Sequence, residues 1–451
     1  MTAANETVDP SRDPNHFPPL SQAVPLGIQH ILAMFVSNVT PALLVAGAAG
    51  LGTGDEGVVV TLVQASMLFA GLATLGQTHG FGPVGARLPI VQGTSFAFLP
   101  MMLPLVAGRG TEGLSILFAG ALVGGLFHLS LAPFVKRLRF ALPPLVTGIV
   151  VLLIGLSLVR VGIQYAAGGV PAIGTPAYGA PLSWSLAIVT IVVTLGLRIF
   201  SKGLLGTASV LLGLIAGYLV ALALGRVDFG AVGEASWLST PQLMPFGLKF
   251  TFAAVAGFCA MVLVSGIETI GDVSAIAESG AGREATDKEL TGAVAADGFG
   301  TALAAAFGAL PNSSFSQNVG LVAMTGVMSR HVVALGALFL IVCGIVPKIG
   351  AVIISIPIEV LGGSVIIMFG MVAGAGISML SSVTWNQRNL LIAALAISVG
   401  LGLQLEPGAV AGLPELPRIL MTSGVVPAAF LAVTLNLLMP NPEGASSSLA
   451  H

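Results

Sequence analysis

An all-α polytopic membrane fold is what this sequence predicts, with fourteen transmembrane spans arranged as two inverted seven-span repeats. Three observations carry that expectation. Of 451 residues, 55% are hydrophobic and only 8% charged, whereas a soluble domain carries about 25% charged residues. Apolar stretches near the length that crosses a hydrocarbon core of about 30 Å recur along the whole chain. Short matches between the two halves recur at nearly one offset. The net charge of −2 excludes a strong nucleic-acid footprint.

The stretches run in order over about 24–46, 57–79, 88–106, 113–134, 141–160, 183–200, 204–225, 250–278, 291–309, 312–328, 331–346, 349–375, 388–404 and 417–439. A polar leader, Met1 to Leu20, precedes the first and lacks the apolar core of a cleavable signal peptide, so it reads as a flexible cytosolic tail. The fifth and seventh are clean, since Phe140 to Val159 and Gly203 to Gly225 contain no charge. The third and tenth are interrupted by Gly93-Thr94-Ser95-Phe96-Ala97-Phe98-Leu99-Pro100 and by Pro311-Asn312-Ser313-Ser314-Phe315-Ser316. Mixed Ser/Thr and aromatics bounded by Gly or Pro read as short strand-like breaks in spans three and ten. The resulting organisation is a cytosolic N-terminal tail (1–23), a first repeat (24–225), an external loop (226–249), an inverted second repeat (250–439) and a C-terminal tail (440–451) containing Ser446-Ser447-Ser448.

The repeat rests on Pro143, Val146 and Gly148, which reappear as Pro357, Val360 and Gly362, each 214 residues later. Thr94-Ser95-Phe96 returns approximately as Ser313-Ser314-Phe315, offset by 219. Span five thus pairs with twelve and three with ten, and an odd repeat of seven inverts the second copy. With the N-terminus inside, eleven basic residues fall on cytoplasmic segments, among them Arg87, Arg139, Arg283, Lys288 and Arg330, against six on external ones. That asymmetry predicts both termini in the cytosol.

Non-helical backbone at bilayer depth is tolerated only where protein buries it or it lines a cavity. Two breaks at equivalent places therefore point to a midplane binding site, with the following half-helices aiming backbone N–H groups at it. Gln317 and Asn318 lie side by side just after the second break, where lipid offers no hydrogen bonds. Glu268, Asp272, Asp297 and Glu359 are the acids within or at the edge of spans. Glu268 and Asp272 are four apart and share one face of the eighth span. Intramembrane carboxylates are costly and mark substrate or proton paths, so the first three are candidates for both roles. Glu359, beside Pro357 near an external span end, reads instead as a solvated boundary carboxylate. His30 reads as a core histidine, and His79 and His128 as packing or interfacial residues. Cys259 and Cys343, both in apolar runs, read as packing rather than disulfide or zinc chemistry. No nucleophile–base pair, metal-ligand cluster or phosphate loop is present, which predicts no enzyme, no metal and no cofactor.

Phe315 to Gly326 carries Gln-Asn-x-Gly-x-x-x-x-Thr-Gly and closely resembles the signature of the nucleobase–ascorbate transporter family, which includes xanthine and uracil permeases. Gly266-Ile267-Glu268-Thr269-Ile270-Gly271-Asp272 is similar to its eighth-span motif, and Asp297-Gly298-Phe299-Gly300-Thr301 to its ninth. Ile28-Gln29-His30, Gln92-Gly93-Thr94-Ser95-Phe96 and Pro143-Pro144-Leu145-Val146-Thr147-Gly148 resemble the first, third and fifth. The motifs come in order and cover nearly the whole chain.

The resemblance implies a symporter importing a purine base, xanthine or uric acid, across the cytoplasmic membrane as a homodimer, with the proton as coupling ion. It implies that Glu268 binds the base and that Gln317 marks the xanthine/urate branch, where uracil permeases carry Glu. Gly326 also fits the bacterial purine branch, whereas Val319 stands where many purine members carry Asn. The resemblance raises a role for His30 in coupling or site geometry. Chemistry agrees: a carboxylate accepts two ring N–H donors, and an amide both donates to a carbonyl and accepts from an N–H. Backbone N–H groups near Ser95 and Phe96 would meet another carbonyl, Phe315 would stack on the ring, and Ala97 leaves room for a larger base. The expected substrate site is thus Glu268, Gln317, Phe315, Ser95, Phe96, Ala97 and Asn318, with Asp272, Asp297 and His30 in proton coupling. Two alternatives stand beside it: a uracil symporter of the same family, and an anion exchanger or channel sharing the inverted fold.

Overall fold

The structure is a computed structural model that describes residues 12–52, 54–138 and 143–440. The outer parts of both expected tails, together with Arg139, Phe140 and the first two residues of the fifth stretch, lie outside the described residues. Leu20–Ala49 (α1) and Glu56–His79 (α2) open the first half. α1 ends where Gly50 adopts φ 82° and turns its N–H back onto the carbonyls of Ala46 and Gly47, which closes the last helical turn. Gln92–Thr94 (β1), a tight turn at Phe96–Phe98 and Leu99–Val106 (α3) form the interrupted third element. Gly110–Leu131 (α4), Val135–Leu138 (α5), Pro144–Ala166 (α6), Pro181–Phe200 (α7), Gly203–Thr207 (α8) and Ser209–Ala223 (α9) complete this half.

A short helix, Gly230–Glu234 (α10), stands alone in the connecting segment. The second half then runs Phe252–Ala281 (α11), Asp287–Ala306 (α12), Asn312–Ser314 (β2), Ser316–Thr325 (α13), Arg330–Ile345 (α14), Pro347–Ile354 (α15), Ile358–Ser381 (α16), Gln387–Leu405 (α17), Glu415–Thr422 (α18) and Val425–Leu438 (α19). Among the described residues, nine helices precede α10 and nine follow it, in the same order of long, broken and short pieces.

Packing repeats the same relation. α2 packs on α14 as α4 packs on α12; α1 meets α14 as α11 meets α4; α7 lies on α9 as α17 lies on α19. Exchanging each element for its counterpart turns one contact into the other, and the extensive α6–α16 contact maps onto itself. β1 and β2 pair antiparallel, Gln92 with Ser314, Gly93 with Ser313 and Thr94 with Asn312. A two-fold relation between the halves, as in inverted-repeat transporters, produces this set of contacts.

Sequence and structure part in the count of spans. Among the described residues eight helices are long and apolar enough to cross a membrane, or ten if two sharply bent pairs each count as one. Fourteen complete spans are therefore not established. The third and tenth stretches divide into a strand and a half-helix, as the Gly/Pro-bounded breaks predict. The expected twelfth span, 349–375, is wrong in its start. α15 turns away from α14 by 81°, and the long helix α16 begins only at Ile358. Pro357 sets that boundary, because proline pushes the preceding residue out of helical geometry and favours the first turn of a new helix. The N-terminal segment also departs from a free tail. Ser329 Oγ donates to the His16 carbonyl at 2.5 Å, Arg330 N donates to the Pro14 carbonyl at 3.0 Å, and Phe17 lies against His331.

Outward-facing α7 leaves Ile188, Val192, Ile199 and Phe200 exposed. An apolar belt of this kind is stable against lipid and unfavourable against water.

Candidate functional site

The two strands meet deep in the interior, with all six of their residues buried. Each is anchored by a threonine from the long helix that precedes it. Thr74 Oγ1 accepts the Gln92 N–H at 2.9 Å, and Thr301 Oγ1 accepts the Asn312 N–H at 3.1 Å. Asn38 of α1 accepts the Thr94 N–H at 2.8 Å, so unpaired strand edges find side-chain partners where no water is at hand. Flanking the strands, Ser95 N–H donates to the Pro311 carbonyl at 2.9 Å and Phe315 N–H to the Val91 carbonyl at 3.0 Å.

α11 sets Thr269 and Asp272 against Ser314 of β2, and the three acids of the expected site, Glu268, Asp272 and Asp297, are all buried. Ser314 Oγ sits 3.2 Å from Thr269 Oγ1 and 3.3 Å from Asp272 Oδ2. Thr269 Oγ1 donates to Asp297 Oδ2, and Gln92 Nε2 donates to Asp297 Oδ1 at 2.5 Å. Asp297 therefore binds α12 to β1 and α11 through both oxygens. Glu268 Oε2 and Asp272 Oδ1 are buried and have no hydrogen-bond partner among the described residues. A buried carboxylate oxygen left unmatched is costly, and these two atoms stand open together with Gln92 Oε1, Ser95 Oγ, Ser316 Oγ and the Asn312 amide, which are also buried without a partner among the described residues.

Two cavities flank the start of α13 and share Ser316, Gly320 and Ala375 in their walls. One, of about 760 Å³, is lined by Gln317, Gln29, Thr207 and Met371 and extends to Arg198 and Lys202. The other, of about 680 Å³, is lined by Asp272, Glu278, Thr147, Ser274 and Ser378. The first thus carries positive charge and the second negative charge. Both volumes suit a small molecule.

The expected site residues divide. Gln317 is half-buried and opens onto the first cavity, and Asp272 opens onto the second. Asn318 points elsewhere: its Oδ1 accepts from His30 Nδ1 at 3.2 Å and its Nδ2 donates to the Pro89 carbonyl at 2.7 Å. Both polar ends of Asn318 are therefore engaged by protein, and His30 is buried with it. Phe315 is buried, and its ring lies where a side chain on Gly93 would be. Phe96 meets Phe369 edge to face at 5.4 Å, and Ala97 is fully buried. The Ser95 N–H is taken by Pro311, so its hydroxyl, buried without a partner, is its remaining open group.

Glu359 corrects the expectation of a solvated carboxylate. It is buried, accepts from Ser183 Oγ at 3.3 Å and lies 3.8 Å from Arg226 Nη2. Sequence reasoning assigned no role to Asn38, Thr74, Thr269, Thr301 or Ser314. Asn38 offers a signal, an amide inside an apolar stretch. The hydroxyls do not, because Ser and Thr in membrane helices often bond their own backbone, as Thr40 does to Val36. Among the described residues no cluster of three or more His, Cys, Asp or Glu is placed to hold a metal ion.

Known proteins place this geometry in a family. A model described as "Permease family" matches residues 21–408. The uric acid transporter UacT of Escherichia coli (strain K12) is 34% identical over 91% of this chain and 85% of its own length. The xanthine permease XanP of the same strain is 33% identical over 94% and 93%. The solved transmembrane domain of the cyanobacterial bicarbonate transporter BicA superposes with a TM-score of 0.56 at 16% identity, covering 94% of this chain and 98% of that one. At that identity the likeness concerns the fold alone. The chain is an integral membrane protein, and by the match along its length and by its relatives it belongs to the nucleobase–ascorbate transporter family of permeases.

Proposed function

We propose that this protein is a proton-coupled symporter that carries an oxidised purine base, xanthine or uric acid, into the cell across the cytoplasmic membrane. The observation that carries the reading is Gln317, an amide opening onto a small-molecule cavity that shares Ser316, Gly320 and Ala375 with a second cavity onto which Asp272 opens. An oxidised purine presents N–H donors and carbonyl acceptors along one edge. An amide meets both kinds of group, and a carboxylate takes the N–H donors. Relatives named for uric acid and xanthine transport support this substrate class. The same site disfavours ligands that leave its polar atoms unpaired.

In this reading Glu268 and Gln317 hold the base, Asp272 carries the coupling proton, and Asp297 with His30 and Asn318 keeps the helices in register. Movement, not bond chemistry, is the work done, and no cofactor takes part. The basic-residue asymmetry supports both termini in the cytosol, and a homodimer in the membrane is the assembly we expect. Uptake of labelled xanthine, uric acid and uracil into proteoliposomes tests the assignment. Xanthine or urate uptake that unlabelled uracil does not compete is expected, and transport of uracil alone overturns it.

A further inference from the structure

On the side of the molecule where the N-terminal segment docks, a cavity of about 450 Å³ lies between four separate stretches of chain. Its walls include Arg87 from the loop between α2 and β1, Arg283 from the α11–α12 connection, Lys288 in the first turn of α12, and Arg330 at the start of α14. Pro14 and Asn15 of the N-terminal segment close one side. This cavity shares no lining residue with the two cavities around α13.

The lining contains one acid, Glu289, and that acid is already matched. Arg283 grips it through Nη1 at 2.9 Å and Nη2 at 2.5 Å, and Thr286 donates to it from its backbone N–H and hydroxyl at 2.8 and 2.9 Å. Among the described residues Arg87, Lys288 and Arg330 make no ion pair. Arg330 Nη1 reaches the carbonyls of Thr78 and His79 at 3.1 and 3.4 Å, which orients the guanidinium, while its Nε is buried without a partner. Three unmatched cations around one cavity repel one another unless an anion joins them.

The loop presenting Arg87 is held rigidly. Gly85 N–H donates to the Gly292 carbonyl at 2.8 Å, and Ala86 N–H to Gln77 Oε1 at 3.0 Å. Arg87 N–H donates to the Gln77 carbonyl at 2.9 Å. Arg87 itself sits at φ 59°, a left-handed conformation that a long side chain rarely adopts. Such strain persists only where the surroundings enforce it, and it gathers at ligand sites. Because these backbone N–H groups all point into protein, recognition falls to the cationic side chains.

We propose that this cavity binds a phosphoryl group. Two guanidinium forks and an ammonium around a small cavity match a compact polyanion with several acceptor oxygens. The group arrives either on a soluble phosphate compound or on an anionic lipid headgroup. When bound, it ties the α2–β1 loop and the N-terminal segment to the connection between α11 and α12, the two helices that carry Glu268, Asp272 and Asp297.

The test is thermal unfolding of the purified protein with inorganic pyrophosphate, against potassium chloride at matched ionic strength. A parallel arm compares nanodiscs of phosphatidylcholine with nanodiscs containing phosphatidylglycerol. The variants are R87Q, K288Q and both together, with K136Q as control, since Lys136 pairs with Asp287 at 3.0 Å outside the cavity. A saturable rise in Tm with pyrophosphate or with the anionic lipid is expected, and the arm that responds identifies the source. The double variant should need at least about tenfold more ligand or lose the response, and K136Q should keep it. No saturable response in either arm, or an equal response in wild type and R87Q/K288Q, overturns the proposal. Neither readout depends on transport, so the site stands or falls apart from the substrate assignment.

Discussion

Gly93 has no room for a side chain. A Cβ there would lie 2.4 Å from Phe315 Cε2, 2.7 Å from Met34 Cε and 2.9 Å from Asn38 Oδ1. Gly93→Ala should therefore push β1 away from the Phe315 ring and from α1 and cost about 1–3 kcal/mol, measured as lowered Tm with lost transport. Gln317 and Asn318 are neighbours whose surroundings separate them completely. Asn318→Ala removes two buried hydrogen bonds and should destabilise the protein by about 1–3 kcal/mol. Gln317→Ala, at a half-buried position on a cavity wall, should leave Tm nearly unchanged while xanthine or urate binding falls at least about tenfold. Calorimetry on the two purified variants checks both, and equal Tm losses would contradict the division. In the sequence the two amides look alike, because adjacency along a chain says nothing about which way a side chain faces in a packed helix.

At the scale of elements, the α6–α16 crossing depends on backbone approach. A Cβ on Gly376 would lie 2.3 Å from Leu152 N and 2.6 Å from its Cα, whereas Gly374, two residues earlier, meets nothing within 4 Å. Gly376→Ala should cost about 1–3 kcal/mol, while Gly374→Ala should be neutral or stabilising by up to about 1 kcal/mol. Thermal melts of the two variants in one detergent make the comparison. Small residues let membrane helices approach, and the repeat at Gly148 and Gly362 was legible for that reason. The strand-like breaks were legible too, since Gly and Pro punctuate them. The true start of α16 escapes a reading by hydropathy, which cannot see a bend, although Pro357 marks it in the sequence.

For the whole molecule, the two halves meet at β1 and β2, where the carboxylates of α11 and α12 gather. If Asp272 carries the coupling proton, Asp272→Asn should abolish accumulation driven by an imposed pH gradient while retaining substrate binding. Proteoliposomes given a proton gradient and then a sodium gradient check this, and accumulation that follows sodium and ignores pH would refute it. The ion pair of Arg109 with Glu415, 3.4 Å apart and exposed, joins distant parts of the chain at the surface. Exposed pairs contribute about 0–1 kcal/mol, so Glu415→Gln should leave both Tm and uptake essentially unchanged.

By itself the sequence determined the membrane class, the broken third and tenth elements, the repeat and the family. Each of these depends on composition, punctuation or motif order, which are properties of a linear chain. The tertiary structure alone decided that Asp297 is bound at both oxygens while Glu268 and Asp272 keep an open one, that Asn318 serves His30 rather than a cavity, and that Arg87, Lys288 and Arg330 surround a single space. The physical reason is the same throughout: a buried polar group takes its role from whichever partner satisfies it, and those partners come from residues far away in the chain.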